Sequence, residues 1–107
     1  MKTRADASPT TALFIPLKAQ FFDAFAAGTK RVEYRRAGKR WNAKTCALGR
    51  AVLLSGGYGK QARLTGKIAS YEERSDVRAI PGWLQCFGAA RRGVRAACIG
   101  ITLDPGQ

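Results

Sequence analysis

The sequence predicts a small, mainly β (α+β) domain with one or two short helices, and three observations lead to this prediction. The chain has 107 residues, which suits one domain that buries roughly two thirds of its unfolded surface. Its 46% hydrophobic and 24% charged residues are typical of a globular protein, because disordered chains are poor in apolar residues. Several segments alternate apolar and polar residues with the period of two of a β-strand.

The first elements are a strand and a helix. Residues 12–15 form a short apolar run that Pro16 closes, which predicts a strand. One apolar helical face follows, made by three phenylalanines: Phe21, Phe22 and Phe25. Gly28 is suited to the left-handed conformation that ends many helices, so we expect the helix to stop there.

A second strand is predicted directly after this helix. Val32 and Tyr34 alternate with charged residues, and this pattern predicts that they face the core. Glu33 and Arg35 should then share the opposite face. Lys30 lies at the junction between helix and strand, where a lysine is also favoured by the helix dipole alone.

The remaining chain predicts three more strands. Residues 37–49 are rich in glycine and charge and predict a long loop, which favours a functional role. Strands are expected at 50–55 and 62–71, with a polar turn at 72–76.

A short helix and a last strand complete the prediction. Three apolar residues after Pro81-Gly82 form one helical face: Trp83, Leu84 and Phe87. The final strand is expected at 97–103, because apolar side chains recur there at every second position. One strand, one helix and four further strands indicate a small β-barrel.

The domain organisation is expected to be simple. We predict a disordered N-terminal tail at 1–11 and a single domain at 12–104, with no secretory leader and no membrane span. The three cysteines have no close spacing and the chain has no histidine, so we expect free thiols, no metal and no cofactor. Free cysteines favour a reducing compartment, and therefore the cytoplasm.

Charge points to an anionic partner. Nineteen Lys and Arg against seven Asp and Glu give a net charge of +12, and the segment 30–44 carries +6 of it. Such a field attracts polyanions, so RNA or a nucleotide is the first expectation for a partner. Two alternatives stay open, namely an acidic protein partner and a charge that serves only solubility.

Two blocks of this sequence resemble the ASCH domain, one of the small β-barrels related to the PUA domain. The first block is a helix followed by Gly28-x-Lys30-x-x-Glu33-x-Arg35. The second is the Trp41 loop followed by Gly57-Tyr58-Gly59-Lys60-x-Ala62-Arg63, similar to a block in phage and bacterial members. The resemblance covers about half of the chain, from residue 13 to 68.

The resemblance implies a PUA-like β-barrel whose short helices flank a cleft that the signature residues face. It also implies binding of RNA or of nucleotide-like molecules. A few members are hydrolases, either a ribonuclease or an amidohydrolase acting on acetylated cytidine. In the amidohydrolase the motif lysine is paired with a threonine three residues later, where this chain has Glu33, so the cleft is implied more strongly than that reaction.

The candidate site residues follow from these patterns. Lys30 and Glu33 could act as general acid and base, and the alternative is that Glu33 only forms an ion pair with Arg35 or Lys30. Arginine and lysine side chains suit phosphate oxygens and tryptophan and tyrosine suit base stacking, although both aromatic residues could instead be core residues. The predicted binding residues are Arg35, Trp41, Lys44, Tyr58, Lys60 and Arg63.

Overall fold

A computed structural model describes residues 11–57, 62–89 and 91–107. Five strands and two short helices are present in this part of the chain, and they are β1 (Leu13–Pro16), α1 (Ala19–Ala27), β2 (Val32–Arg36), β3 (Ala51–Ser55), β4 (Arg63–Arg74), α2 (Trp83–Phe87) and β5 (Ala96–Leu103). A single 3₁₀ turn, Val77–Ala79, precedes α2. The predicted order of elements is confirmed. Most of the tail predicted at 1–11 lies outside the described residues.

The strands form one mixed sheet in the order β1-β3-β4-β5-β2, curled into a half-barrel. β1 pairs with β3 in parallel, and the other neighbours are antiparallel. The mainly β prediction with two short helices is therefore confirmed. β1 and β2 are the two edges of the sheet, and we call the gap between them the seam.

Local sequence features account for the bends of the sheet and for the end of α1. Gly28 adopts φ 82° at the end of α1, as predicted from its sequence position. A register shift between Ile68 and Ser70 interrupts the β4–β5 ladder, and such irregularities increase strand twist. Gly66 allows close approach there, because a Cβ at this position would lie 2.5 Å from the carbonyl oxygen of Thr102.

The polar turn expected at 72–76 is wrong in its first half, since Glu72 to Arg74 continue β4. The residues from Glu72 to Arg74 pair with Cys98, Ala97 and Ala96 of β5. Their polar composition resembles a turn, but the long partner strand supplies backbone hydrogen bonds up to Arg74. Tertiary pairing here overrides the local sequence signal.

Two apolar clusters lie on opposite faces of the sheet. The main core packs α1 against the sheet, with Phe25, Ile15, Leu54 and Ile99 almost fully buried. A smaller cluster joins α2 and the 3₁₀ turn to the other face of β5, through Trp83, Val77, Ile80, Ala96 and Cys98. α1 and α2 therefore cover different faces, and residues of both line one cavity beside the edge strand β2. None of the described helices is long and apolar enough to cross a bilayer.

Candidate ligand cavity

A cavity of about 250 Å³ opens at the edge strand β2, between α1 and α2. Strand β2 contributes side chains from both of its faces, because it borders the seam. The walls consist of Pro16, Leu17, Lys18, Phe21, Lys30, Glu33, Tyr34, Arg35, Ile80, Pro81, Gly82, Trp83, Cys86 and Phe87. The cavity thus combines apolar and aromatic walls with a few charged groups, which is the usual make-up of a small-molecule site.

The register of β2 against β5 turns two charged residues toward the barrel interior. Glu33 pairs with Ile99 and Arg35 pairs with Ala97, and both partners belong to the main core. Directly opposed residues of an antiparallel pair share a face, so the charged pair points inward. As predicted, Val32 and Tyr34 pack against a core cluster and Glu33 and Arg35 share the opposite face, but the cluster is the smaller one and the charged face is the one that adjoins the main core.

Glu33 is the buried centre of the polar wall. Its overall exposure is 6%, and its carboxylate contacts two cations. Oε2 accepts a hydrogen bond from Arg35 Nε at 2.7 Å, while Oε1 lies 3.6 Å from Lys30 Nζ. Both ion pairs considered from the sequence are present, and we call Lys30, Glu33 and Arg35 the cavity triad.

Lys30 is positioned by the end of α1 and by aromatic rings. Its backbone N–H donates to Ala24 O at 3.1 Å, which fixes the chain as it leaves the helix. Its ammonium lies 5.1, 5.7 and 5.3 Å from the ring centroids of Phe21, Phe25 and Tyr34. Cation–π attraction and the carboxylate therefore hold the amine at the cavity wall.

Arg35 spans the seam of the half-barrel. Its Nη2 donates to the carbonyl of Pro16 at the end of β1, while its Nε donates to Glu33 on β2. Its guanidinium also stacks over the Trp41 ring at 4.9 Å from the centroid. A side chain thus links two edge strands that do not pair through their backbones.

Three other predicted binding residues that the structure describes do not line the cavity, and they are Trp41, Lys44 and Arg63. Trp41 is buried in the main core, and the guanidinium groups of Arg35 and Arg40 lie 4.9 and 5.3 Å from its ring centroid, which gives the ring a packing role. Lys44 is exposed in the loop after β2, and Arg63 begins β4 with its guanidinium 5.4 Å from the Phe14 ring centroid. Tyr58 and Lys60 lie outside the described residues.

Backbone groups of β2 form a part of the site that sequence reasoning missed. Ile101 N–H donates to Arg31 O and Ala37 N–H donates to Arg95 O, so the odd-numbered residues of this segment bond to β5. Alternation along an antiparallel ladder then directs the N–H and C=O of Tyr34 toward the open edge. Tyr34 lines the cavity, so an edge-strand donor and acceptor are available there.

The cysteines differ in their surroundings. Burial raises the pKa of the Cys46 and Cys98 thiols, although a hydrogen bond between Cys46 and Thr45 lowers that of Cys46 in part. Cys86 is half-buried on α2 and lines the cavity. All three are free, as expected from their spacing.

A second ion-pair network lies away from the cavity, near the C-terminal end of β4. Tyr71 O–H donates to Glu73 Oε2 at 2.7 Å, and Arg95 Nη2 lies 2.7 Å from Glu73 Oε1. The hydrogen bond from Tyr71 and then that from Arg95 hold the pKa of Glu73 below its usual range. Burial, followed by the bond to Glu73, raises the pKa of Tyr71.

No protein-family model, curated protein or solved structure matches this chain. Within the described residues, no three or more side chains of the metal-ligating types come together.

Proposed function

We propose that the protein binds a nucleobase, either of a free nucleoside or of an unpaired RNA nucleotide, in the cavity beside β2, as an ASCH-like domain. One observation carries the proposal: Lys30, Glu33 and Arg35 meet at one cavity whose other walls are mostly aromatic or aliphatic, with Lys18 as a further charged residue. Three charged residues grouped beside an open cavity favour a ligand with its own polar groups.

The size of the cavity favours a small, flat ligand. Ligand pockets usually measure about 300 to 1,000 Å³, and this one is slightly smaller at about 250 Å³. Such a volume suits a single ring system rather than several stacked bases. The rings of Phe21, Tyr34, Trp83 and Phe87 lie in its walls, and stacking on aromatic side chains contributes about 1 to 3 kcal/mol per base.

The polar groups match the chemistry of a base edge. Glu33 can accept hydrogen bonds from ring or exocyclic N–H groups, because each carboxylate oxygen has more than one acceptor site. Lys30 can donate to a carbonyl oxygen or a ring nitrogen, and Tyr34 offers one backbone donor and one acceptor. A nucleobase carries donors and acceptors side by side, as this wall does.

Trp83 provides a direct binding assay. It lies in the cavity wall, with its ring centroid 4.4 Å from that of Phe87. We expect titration with nucleosides, modified and plain, to change tryptophan fluorescence, and Trp83→Phe to remove that change. Trp41 does not line the cavity, so its fluorescence should not change when a nucleoside is added.

Substitution of Lys30 tests which cavity residue binds the ligand. Lys30→Gln should weaken nucleoside binding roughly tenfold or more, since a charge-assisted hydrogen bond is lost. Lys67→Gln on the exposed part of β4 removes the same charge and should leave the affinity unchanged. Equal affinities in the two variants would refute the assignment of this cavity.

Cys86 allows a test that does not depend on affinity measurements. Because Cys46 and Cys98 are buried, a small thiol reagent should modify Cys86 first. A saturating nucleoside should slow that modification, and in Lys30→Gln the protection should require a higher nucleoside concentration. Unchanged modification of the original protein at saturation would place the ligand elsewhere.

A second candidate function is hydrolysis of RNA or of an acetylated cytidine, and the 3.6 Å separation of Lys30 Nζ from Glu33 Oε1 at the cavity favours it. Here Glu33 would take a proton from water and Lys30 would donate one to the leaving group. Turnover measured in the presence of a chelator should disappear in Lys30→Ala. Full activity in that variant would remove this candidate.

A further inference from the structure

An arginine-rich groove of about 610 Å³ lies beside the end of β2, and the turn before β5 forms its other side. It is lined by Arg36, Ala37, Gly38, Asn42, Glu73, Arg91, Arg92, Gly93, Val94 and Arg95. Four arginines face one glutamate, so the groove is strongly cationic.

The backbone fixes where these arginines lie. Val94 N–H donates to Arg91 O at 3.1 Å, and Gly93 between them has φ 82°, the conformation that a type II turn requires at its third residue. Ala37 N–H then donates to Arg95 O at 2.9 Å, which holds the turn beside the end of β2. The groove is therefore built by ordered backbone, not only by long side chains.

The four arginines have different surroundings. Arg95 is paired with Glu73, and Arg36 Nη2 donates to Phe87 O at 2.5 Å while its guanidinium lies 5.5 Å from the Phe87 ring centroid. Arg91 and Arg92 are exposed, and neither forms an ion pair or a side-chain hydrogen bond with the described part of the chain. Their donors are available to a ligand.

Arg36 connects the groove to the cavity. It lines the groove, and the residue it contacts, Phe87, lines the cavity. A strand whose base occupied the cavity would therefore have its flanking phosphates near this row of guanidinium groups. Arginine forks bind phosphate oxygens in bidentate geometry, which suits a sugar-phosphate backbone.

We propose that the groove binds the phosphates of single-stranded RNA that flank a base held in the cavity, an inference that rests on the proposed function. Single strands suit this arrangement, because their bases can leave the stack and enter a pocket while the backbone lies on the surface. An acidic protein segment could also bind these arginines, but it carries no nucleobase that would occupy the adjoining cavity.

The test compares two double variants with equal charge loss. Arg91→Gln/Arg92→Gln removes the two groove arginines that form no ion pair with the described residues. Arg31→Gln/Lys67→Gln removes two exposed cations near the other end of β5, where Arg31 O bonds Ile101 and Lys67 pairs with Thr102. At ~3.3 Å per residue, that is about 17 Å from the groove end at Ala96.

Binding of a fluorescein-labelled RNA octamer is measured by anisotropy at several salt concentrations. Each phosphate contact contributes about 0.7 to the slope of log K against log salt for single strands, so the groove variant should lose about 1.4. Its affinity near physiological salt should fall roughly tenfold, while nucleoside binding in the cavity stays unchanged. The control variant should keep most of the slope.

Several results would overturn the inference. Loss of the same slope in both double variants would show that only total charge matters. Polyglutamate that competes as well as polyuridylate at equal charge would show that the groove does not prefer phosphate. Failure of the cavity proposal can be told apart from failure of the groove proposal. If only the cavity proposal fails, no nucleoside binds, yet the groove variant still shows a smaller slope of log K against log salt with RNA.

Discussion

Two glutamates in this molecule are each held by an arginine at 2.7 Å, yet they occupy very different environments. The Glu33 side chain is 8% exposed in the cavity wall, whereas that of Glu73 is 25% exposed on β4. Glu33 contacts two cations and adjoins core residues, while Glu73 contacts a tyrosine and one cation beside solvent. Loss of the glutamate should therefore change the free energy of unfolding by different amounts at the two sites.

The difference concerns what remains after one partner is lost. Removing one member of a buried ion pair leaves a charge without a partner and costs about 3 to 5 kcal/mol, while exposed pairs contribute little. A buried charged cluster is also a weak source of net stability, because desolvation offsets much of its attraction. The cavity triad is thus expected to contribute little net stability, which is compatible with the ligand binding proposed above.

The largest expected effect is that of Glu33→Ala. This change leaves Lys30 and Arg35 facing each other without a carboxylate, so we expect a loss of about 3 kcal/mol in the free energy of unfolding. Urea unfolding followed by circular dichroism measures it. Glu73→Ala is the matched control and should be much milder; equal destabilisation by the two changes would contradict the comparison.

A smaller effect is expected for Arg35→Lys, which keeps the charge but not the shape. Lysine cannot bond Glu33 and the Pro16 carbonyl with one planar group, nor stack in the same way on Trp41. We expect a loss of about 1 to 3 kcal/mol in the same unfolding measurement, because a bond across the seam is lost.

Arg40→Lys is the control for stacking alone, since Arg40 also lies over Trp41, at 5.3 Å from the ring centroid. It should change the stability less than Arg35→Lys does. If both substitutions are equally mild, the seam does not depend on the guanidinium of Arg35.

The sequence predicted well what neighbouring residues determine. α1 and its end at Gly28 follow from the spacing of three phenylalanines and a glycine suited to φ 82°. α2 is found at Trp83–Phe87, the segment predicted from its apolar face. The sequence offered Lys30 and Glu33 as a possible pair but did not fix the direction of the Lys30 side chain, and the structure places Lys30 Nζ 3.6 Å from Glu33 Oε1.

Features that depend on distant residues could not be predicted. The period of two in β2 predicted which residues share a face, but not which apolar cluster each face contacts. Both faces of this strand contact apolar clusters, and only the pairing with Ile99 and Ala97 decides between them. The burial of Trp41 depends in the same way on core residues of other elements. Neither the Tyr34 backbone edge nor the role of Phe87 in linking groove and cavity has a local sequence signal.

The smallest expected effect is a change in the pKa of Glu73, and measuring it tests what distinguishes Glu73 from Glu33. The hydrogen bond from Tyr71 is the largest cause that lowers the pKa of Glu73 from its ordinary 4.5, so Tyr71→Phe should raise that pKa toward 4.5. A lowered folded-state pKa gives stability that is present above the unfolded value and is lost as the pH falls through the folded one.

The original protein should therefore lose this contribution below about pH 4.5, and Tyr71→Phe should show a weaker dependence in that range. Carboxyl carbon NMR titration of Glu73 and urea unfolding between pH 3 and 6 measure the two quantities. An unchanged Glu73 titration in Tyr71→Phe would mean that Arg95 alone lowers its pKa. Glu73 would then be held by its ion pair with Arg95 alone. In that case the two glutamates would differ only in how deeply they are buried.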